Sequence, residues 1–247
     1  MDQPVAIESI LAAHTPYKLT YHQALSRTPE DIVYHDVYPV QLWEGGEVHL
    51  PLRRLTPELG IALLMTSEAD NQVMEILTSR LAQRIVQLQA ETGEHIQGIA
   101  GIAKLGYSLA QQVSRELGHA TWIPIDSSPK VWYVQELSVP SHSSTSGDLG
   151  KRMWIDPHIA DRVYRKTIAI LDDAVNTGGS ARAAIEVARR AGATQVFLTP
   201  VFTEGHDWEA VLSQIGVHPQ THVASLGHLP LFRPHPTGGW TPLPETL

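Results

Sequence analysis

The run Ile168-Ala169-Ile170-Leu171-Asp172-Asp173-Ala174-Val175-Asn176-Thr177-Gly178-Gly179-Ser180 sets an apolar stretch before two adjacent carboxylates and a loop of small residues. Four apolar residues in a row suit a strand buried on both faces of a parallel sheet. Residues 181–191 form a helical run, so the loop between them lies at a strand's carboxyl end. Ligands of open α/β sheets bind there. Thr177, Gly178, Gly179 and Ser180 turn backbone N–H groups and hydroxyls toward an anion, and the helix that follows adds its positive dipole end. A phosphate fits that cradle. The two acids are poorly placed to bind the phosphate itself, but they accept hydrogen bonds from sugar hydroxyls and stabilise positive charge developing on a ribose ring. Cradle and acids together point to a phosphosugar.

Strands and helices alternate on both sides of this run. The patterns predict a strand over 96–103, a helix over 107–117, and strands over 121–125 and 131–137. After a polar excursion come a strand over 167–171, a helix over 180–191, a strand over 195–201 and a short helix near 208–215. The fold class is α/β, a mainly parallel central sheet flanked by helices. Upstream, Val73, Ile76, Leu77, Leu81, Ile85 and Leu88 recur at helical spacing and Thr92-Gly93 stops the pattern, which predicts a long helix over 68–91. Short β-like stretches at 32–38 and 48–52, broken by Pro39 and Gly45-Gly46, mark residues 1–60 as an accessory layer. Residues 61–202 then form the core. Residues 203–247, with their Pro-rich tail, form a covering segment that shares a small hood with the N-terminal one.

Composition narrows the function classes. A chain of 247 residues with 43% hydrophobic content has ample material for a substantial core. A formal charge of −8 argues against coating nucleic acid or an anionic membrane surface. No run of eighteen apolar residues occurs, and Met1-Asp2-Gln3-Pro4 lacks the basic and apolar regions of a secretory signal, so a soluble, cytoplasmic protein is expected. The absence of cysteine excludes thiol catalysis and zinc thiolate sites. The 13 histidines are scattered, and Pro219 interrupts the helical spacing of His218 and His222.

The acidic run resembles the 5-phosphoribosyl-1-pyrophosphate (PRPP) signature of the type I phosphoribosyltransferases, and the likeness extends over about residues 95 to 202. It implies transfer of ribose 5-phosphate from PRPP to a nucleobase nitrogen, purine favoured, with release of pyrophosphate. Asp172 and Asp173 would hold the ribose hydroxyls and favour the oxocarbenium-like transition state, and Asn176, Thr177, Gly178, Gly179 and Ser180 would grip the 5′-phosphate. Ala103-Lys104-Leu105-Gly106 resembles the family's pyrophosphate loop, often built around a non-proline cis peptide. There Lys104 and the backbone of Leu105 and Gly106 would meet the pyrophosphate. Lys130, in Ser127-Ser128-Pro129-Lys130, resembles a further basic residue near that group. The polar stretch 138–152 corresponds to a flexible loop that closes over PRPP, where Lys151 and Arg152 would bring charge to the leaving group. Mg²⁺ would accompany PRPP, held chiefly by substrate and water, with water-mediated contact to Asp172 and Asp173 and no dedicated protein cage. A homodimer is implied. Phe232 or Trp240 of the hood would stack on the base.

Asn176 departs from the family pattern, since hypoxanthine-guanine enzymes carry there an aspartate that exchanges a proton with the purine, which an amide does not do. Two other readings stay open. A PRPP-sensing regulator would keep the acidic motif without catalysis. An α/β hydrolase would use Ser108, in Gly106-Tyr107-Ser108-Leu109-Ala110, with Asp172 or Asp173 and His228.

Overall fold

The computed structural model describes residues 17–23, 33–141 and 151–247. Four strands, β1 (Thr20–His22), β2 (Val37–Gln41), β3 (Glu47–Arg54) and β4 (Gly60–Ala62), precede the long helix α1 (Asn71–Thr92). The α/β core follows with β5 (Gly98–Ile102), α2 (Gly106–Glu116), β6 (Ile123–Ile125), β7 (Ser138–Pro140), β8 (Arg152–Trp154) and β9 (Thr167–Leu171). It continues through β10 (Ala174–Val175), α3 (Gly179–Arg190), β11 (Gln195–Leu198) and β12 (Phe202–Glu204). Helices α4 (Asp207–Ser213) and α5 (Pro219–His222) lead to β13 (Gly227–Leu229), β14 (Phe232–Pro234) and β15 (Trp240–Pro242).

The central sheet is parallel, in the order β11-β9-β5-β6. A second parallel set, β10-β12-β13, prolongs it beyond the two acids. The backbone carbonyls of Asp172 and Asp173 accept from the N–H groups of Val201 and Phe202 at 2.9 and 3.1 Å, so the β9–β11 pairing runs on into β10–β12. Every residue of β5 and β9 is buried, as strands covered on both faces require. Their side chains alternate between two cores. Ile99, Ala169, Leu171 and Phe197 face the layer that holds α1 and α2, while Ala100, Ile102, Ile168, Ile170, Val196 and Leu198 face α3 and α4. The apolar stripe of α1 is packed as its spacing predicts, with Leu77, Leu81 and Ile85 fully buried, and Gly93 ends the helix in the left-handed conformation at φ 72°.

The terminal segments meet in an antiparallel hood. Its strand order is β1-β3-β4-β14-β15, with β2 also on β3, so chain ends distant in sequence share one sheet. Phe232 is fully buried and meets Tyr38 edge-on at 5.1 Å, and Trp240 packs against Gly60 beneath Arg54, whose guanidinium lies 5.3 Å from the indole ring. These aromatic rings hold the hood together. The chain after residue 202 is shared between layers, since β12 and β13 belong to the parallel sheet and only β14 and β15 to the hood.

The predicted strand over 131–137 is corrected. Val131 and Trp132 lie in a turn, Gln135–Leu137 is a 3-10 helix, and extended pairing begins only at β7. Side-chain anchors outweigh β propensity here. Trp132 donates its indole N–H to Asp156 at 2.9 Å, and the hydroxyls of Tyr133 and Tyr107 both donate to Asp126, leaving Val131 98% exposed with no facing strand. β7 and β8 form a two-stranded ribbon tied to the end of β6 by the Asp126–Trp154 bridge. Residues 142–150, most of the expected closing loop, lie outside the described residues.

Candidate active site

Two crossovers converge at the carboxyl ends of β5 and β9, the central strands of the sheet. Their loops, with the hood above, enclose a cavity of about 330 Å³. Lys104 and Leu105 line it from the first loop. Asp172, Asp173 and Asn176 through Ser180 line it from the second. The hood contributes Leu55 and the strip Ile61 to Met65, a mostly aliphatic wall facing the polar loops.

The first loop is held from above and below. Its Ala103–Lys104 peptide is cis, as the family likeness implies. Thr66, buried at the exit from the hood, donates its hydroxyl to the Leu105 carbonyl at 2.6 Å. Gly106 begins α2 against the last residue of β9, and a Cβ there would lie 2.4 Å from the Leu171 carbonyl oxygen. Only glycine lets the helix start so near the acids. Tyr17 closes the strip by accepting from the Met65 N–H and donating to the Leu63 carbonyl. Burial pushes its phenol up to about 12, so it stays protonated at neutral pH.

The second loop turns into α3 through Gly178, which has φ 78° and serves as N-cap. Its missing side chain leaves room for the neighbouring Trp208 backbone, since a Cβ would approach the Trp208 Cα to 3.0 Å. The first N–H groups of a helix have no intrahelical acceptor, and here they open on the cavity beside the Thr177 and Ser180 hydroxyls. Arg189 and Arg190 in the last turn complement the opposite end of the α3 dipole.

Three carboxylates share this space. Burial, then the charge of Asp173, holds the Asp172 carboxyl well above the usual carboxylate range, and burial pushes Asp173 up to about 6. The third was not anticipated. Glu204, at the end of β12, is 5% exposed and accepts from the Asn176 amide at 2.6 Å through Oε2. Burial, opposed by that bond and reinforced by Asp173, pushes it up to about 7. Its Oε1 has no hydrogen-bond partner among the described residues. The clue in the sequence is an acid closing the apolar run Val201-Phe202, but Pro200 suggests that the strand stops earlier. Among the described residues, no group of three His, Cys, Asp or Glu side chains is arranged to hold a metal ion.

Other expected site residues lie elsewhere. Lys130 sits in the exposed turn before the 3-10 helix at Gln135–Leu137, outside the cavity lining. Lys151 and Arg152 begin the β8 arm of the ribbon, where Arg152 donates to the Ser138 hydroxyl at 2.9 Å and lies over Trp154. Phe232 and Trp240, expected to stack on the base, are packed in the hood outside the cavity lining. The hydrolase geometry is also replaced. Ser108 lies inside the first turn of α2, and His228 has its ring nitrogens bonded to the Thr203 hydroxyl at 3.0 Å and the Thr246 carbonyl at 2.8 Å.

A family model described as phosphoribosyl transferase domain matches residues 68–219, more than half of the chain, and the protein belongs to that family. Its fold is the type I phosphoribosyltransferase fold. The adenine phosphoribosyltransferase of Trypanosoma brucei, solved with AMP, pyrophosphate and ribose-5-phosphate, aligns with a TM-score of 0.53 at 17% identity. That alignment covers 64% of this chain and 65% of the trypanosomal one, just under two thirds of its length. The adenine phosphoribosyltransferase of Giardia lamblia, complexed with 9-deazaadenine, aligns at 16% identity over 68% of this chain and 93% of its own, with a TM-score of 0.49. No curated relative matches the sequence.

Proposed function

We propose that the protein transfers the 5-phosphoribosyl group of PRPP to a nitrogen of a nucleobase, purine favoured, and releases pyrophosphate. The observation that carries this reading is the meeting of Lys104–Leu105, Asp172–Asp173 and Asn176–Ser180 around one cavity. Each piece suits one part of PRPP. The α3 N-terminus with Thr177 and Ser180 binds the 5′-phosphate, the acids accept the ribose hydroxyls, and Lys104 with the Leu105 backbone meets the pyrophosphate. As the bond from C1 to pyrophosphate lengthens, positive charge builds on the ribose, and the Asp172–Asp173 pair stabilises it electrostatically. The aliphatic strip from Ile61 to Leu64 suits the face of a planar heterocycle. A purine accords with the AMP bound by the trypanosomal enzyme.

Mg²⁺ suits this hard-oxygen surrounding, and when bound it would neutralise charge on the pyrophosphate. Its ligands would come chiefly from PRPP and water, and Asp172 and Asp173 would accept hydrogen bonds from that water. Lys151 and Arg152, at the start of β8, are proposed to approach the leaving group when PRPP is bound. Lys130 is proposed to join them, and both assignments need movement toward the cavity. A cytoplasmic homodimer that binds neither nucleic acid nor membrane completes the proposal. The charge of −8 bears on the exclusion of nucleic acid and anionic membrane surfaces, and no helix among the described residues is long and apolar enough to cross a membrane.

Calorimetric titration with PRPP and Mg²⁺ tests the site. Saturable binding is expected, and Lys104→Ala should weaken it by about tenfold to a hundredfold, the loss of a charge-assisted hydrogen bond of about 1.5–3 kcal/mol. Unaltered affinity in that variant would remove Lys104 from the pyrophosphate site.

A further inference from the structure

We propose that Glu204 takes the proton from the acceptor nitrogen, and that the acceptor is therefore a planar heterocycle presenting an N–H to Glu204 Oε1. The inference rests on the phosphoribosyl-transfer reading. In that reaction a bond forms between nitrogen and ribose C1 while the bond from C1 to pyrophosphate oxygen breaks, and pyrophosphate leaves with the electron pair. A nitrogen that carried hydrogen is left with a surplus proton. A cavity side chain or water receives it, and from a side chain it later passes to water when product leaves.

Among the described residues, the cavity offers few candidates. Asp172 and Asp173 are committed to the ribose, Lys104 is a cation, Tyr17 is a protonated phenol, and the Asn176 amide has no basic atom. Glu204 remains. One of its oxygens is fixed by Asn176, which aims the carboxylate, while the other is buried without a partner among the described residues, on a side chain that lines the cavity. An orphaned carboxylate oxygen at 5% exposure is costly unless a donor arrives, and a ligand N–H supplies one. The strip Ile61 to Leu64, which lines the same cavity, gives a flat apolar ring a surface to lie on.

The electrostatics agree with this role. Burial brings Glu204 to about 7, where a carboxylate is both substantially ionised and a competent base at neutral pH. Among the described residues, the charged groups that share its cavity are Asp172 and Asp173 from the β9–β10 turn, of which Asp173 acts on it directly, and Lys104 from the β5–α2 loop. On the adjoining β13, His228 is engaged by Thr203 and Thr246, and beyond Gly205 His206 pairs with Glu209 at 2.8 Å. Neither histidine is bonded to Glu204.

The test is steady-state transfer by the full chain, followed as pyrophosphate release across about pH 5.5 to 9, for wild type, Glu204→Gln and Glu204→Asp. Glutamine keeps an acceptor for Asn176 and loses the base. Wild-type kcat/KM for the heterocycle should rise with pH through an ionisation near 7, that of the ligand-free site. Glu204→Gln should lower kcat by about a hundredfold or more, lose that acidic limb, and leave KM for PRPP within about twofold. Glu204→Asp should retain the limb at reduced kcat. A Glu204→Gln enzyme with kcat within about threefold of wild type, or with the limb intact, overturns the inference and leaves the transfer reading standing. A wild type that binds PRPP but transfers to no heterocycle overturns both. If Glu204→Gln no longer binds PRPP, Glu204→Asp decides: lowered kcat supports the role, and unchanged kcat and pH profile overturn it.

Discussion

Replacing Asp172 and Asp173 together by asparagine is expected to lower kcat by about a thousandfold or more while leaving the fold intact and more stable above neutral pH. The rate effect follows from charge. Two carboxylates at the end of β9 face the position where the ribose becomes cationic, in a cavity that water screens poorly. Asparagine keeps a hydrogen-bond acceptor for the Asp173 backbone N–H, which now donates to Asp172 at 3.0 Å, so the turn should hold. The stability effect has the opposite sign. Burial raises Asp173 from 3.8 to about 6, so between those values the folded protein binds more protons than the unfolded chain. Stability therefore falls as pH rises through that window, and the full penalty is present above it. Neutral side chains remove a penalty on the order of 3 kcal/mol for the Asp173 shift, which should appear as a higher Tm at pH 8 than wild type. Retention of more than about a tenth of wild-type kcat would contradict the role given to the acids.

Gly106→Ala is expected to damage stability and ligand binding together. The added methyl would meet the Leu171 carbonyl oxygen at 2.4 Å and the Asp172 Cα at 3.3 Å, both backbone atoms of the central strand and its acidic turn. Neither is free to yield as a flexible side chain would. The helix must lift, carrying the Lys104 loop away from Asp172. Gly101, one strand over, makes a second tight crossing, where a Cβ would lie 2.4 Å from the Gly106 carbonyl oxygen, so little slack exists on that side either. Overpacking of this kind costs about 1–3 kcal/mol, a fall in Tm of roughly 3–10 °C for a chain of this size. PRPP affinity should drop with it. A variant with unchanged Tm and unchanged affinity would show that the close crossing does not position the pyrophosphate loop.

The parts of the site that could be read from sequence are those written in short, contiguous stretches. The run from Ile168 to Ser180 carries strand, acids, cradle and helix start in thirteen residues, and the Lys104 loop joins a strand to a helix in four. Local periodicity suffices for both. Glu204 escaped because β12 is a three-residue strand after Pro200, and its meaning comes from Asn176, which is 28 residues away in the chain. The hood's contribution escaped for a related reason. β4 joins β14 through a single register pair, Gly60 with Phe232, and nothing local in either segment announces a partner so distant. Phe232 and Trp240 were recognisable as hood aromatics, but their side of the sheet depends on the register that this pairing sets. At 131–137, a β-prone composition gave way to the Asp126 and Asp156 anchors, contacts that no pattern along the chain encodes.

The most direct test of phosphoribosyl transfer is to incubate the purified protein with PRPP, Mg²⁺ and individual purine and pyrimidine bases, measuring pyrophosphate release and identifying products by mass spectrometry. Base-dependent release with a matching nucleoside monophosphate, strongest with a purine, is the predicted result. PRPP binding with no nucleotide formed from any base would contradict the catalytic account and identify the cavity as a PRPP-sensing site.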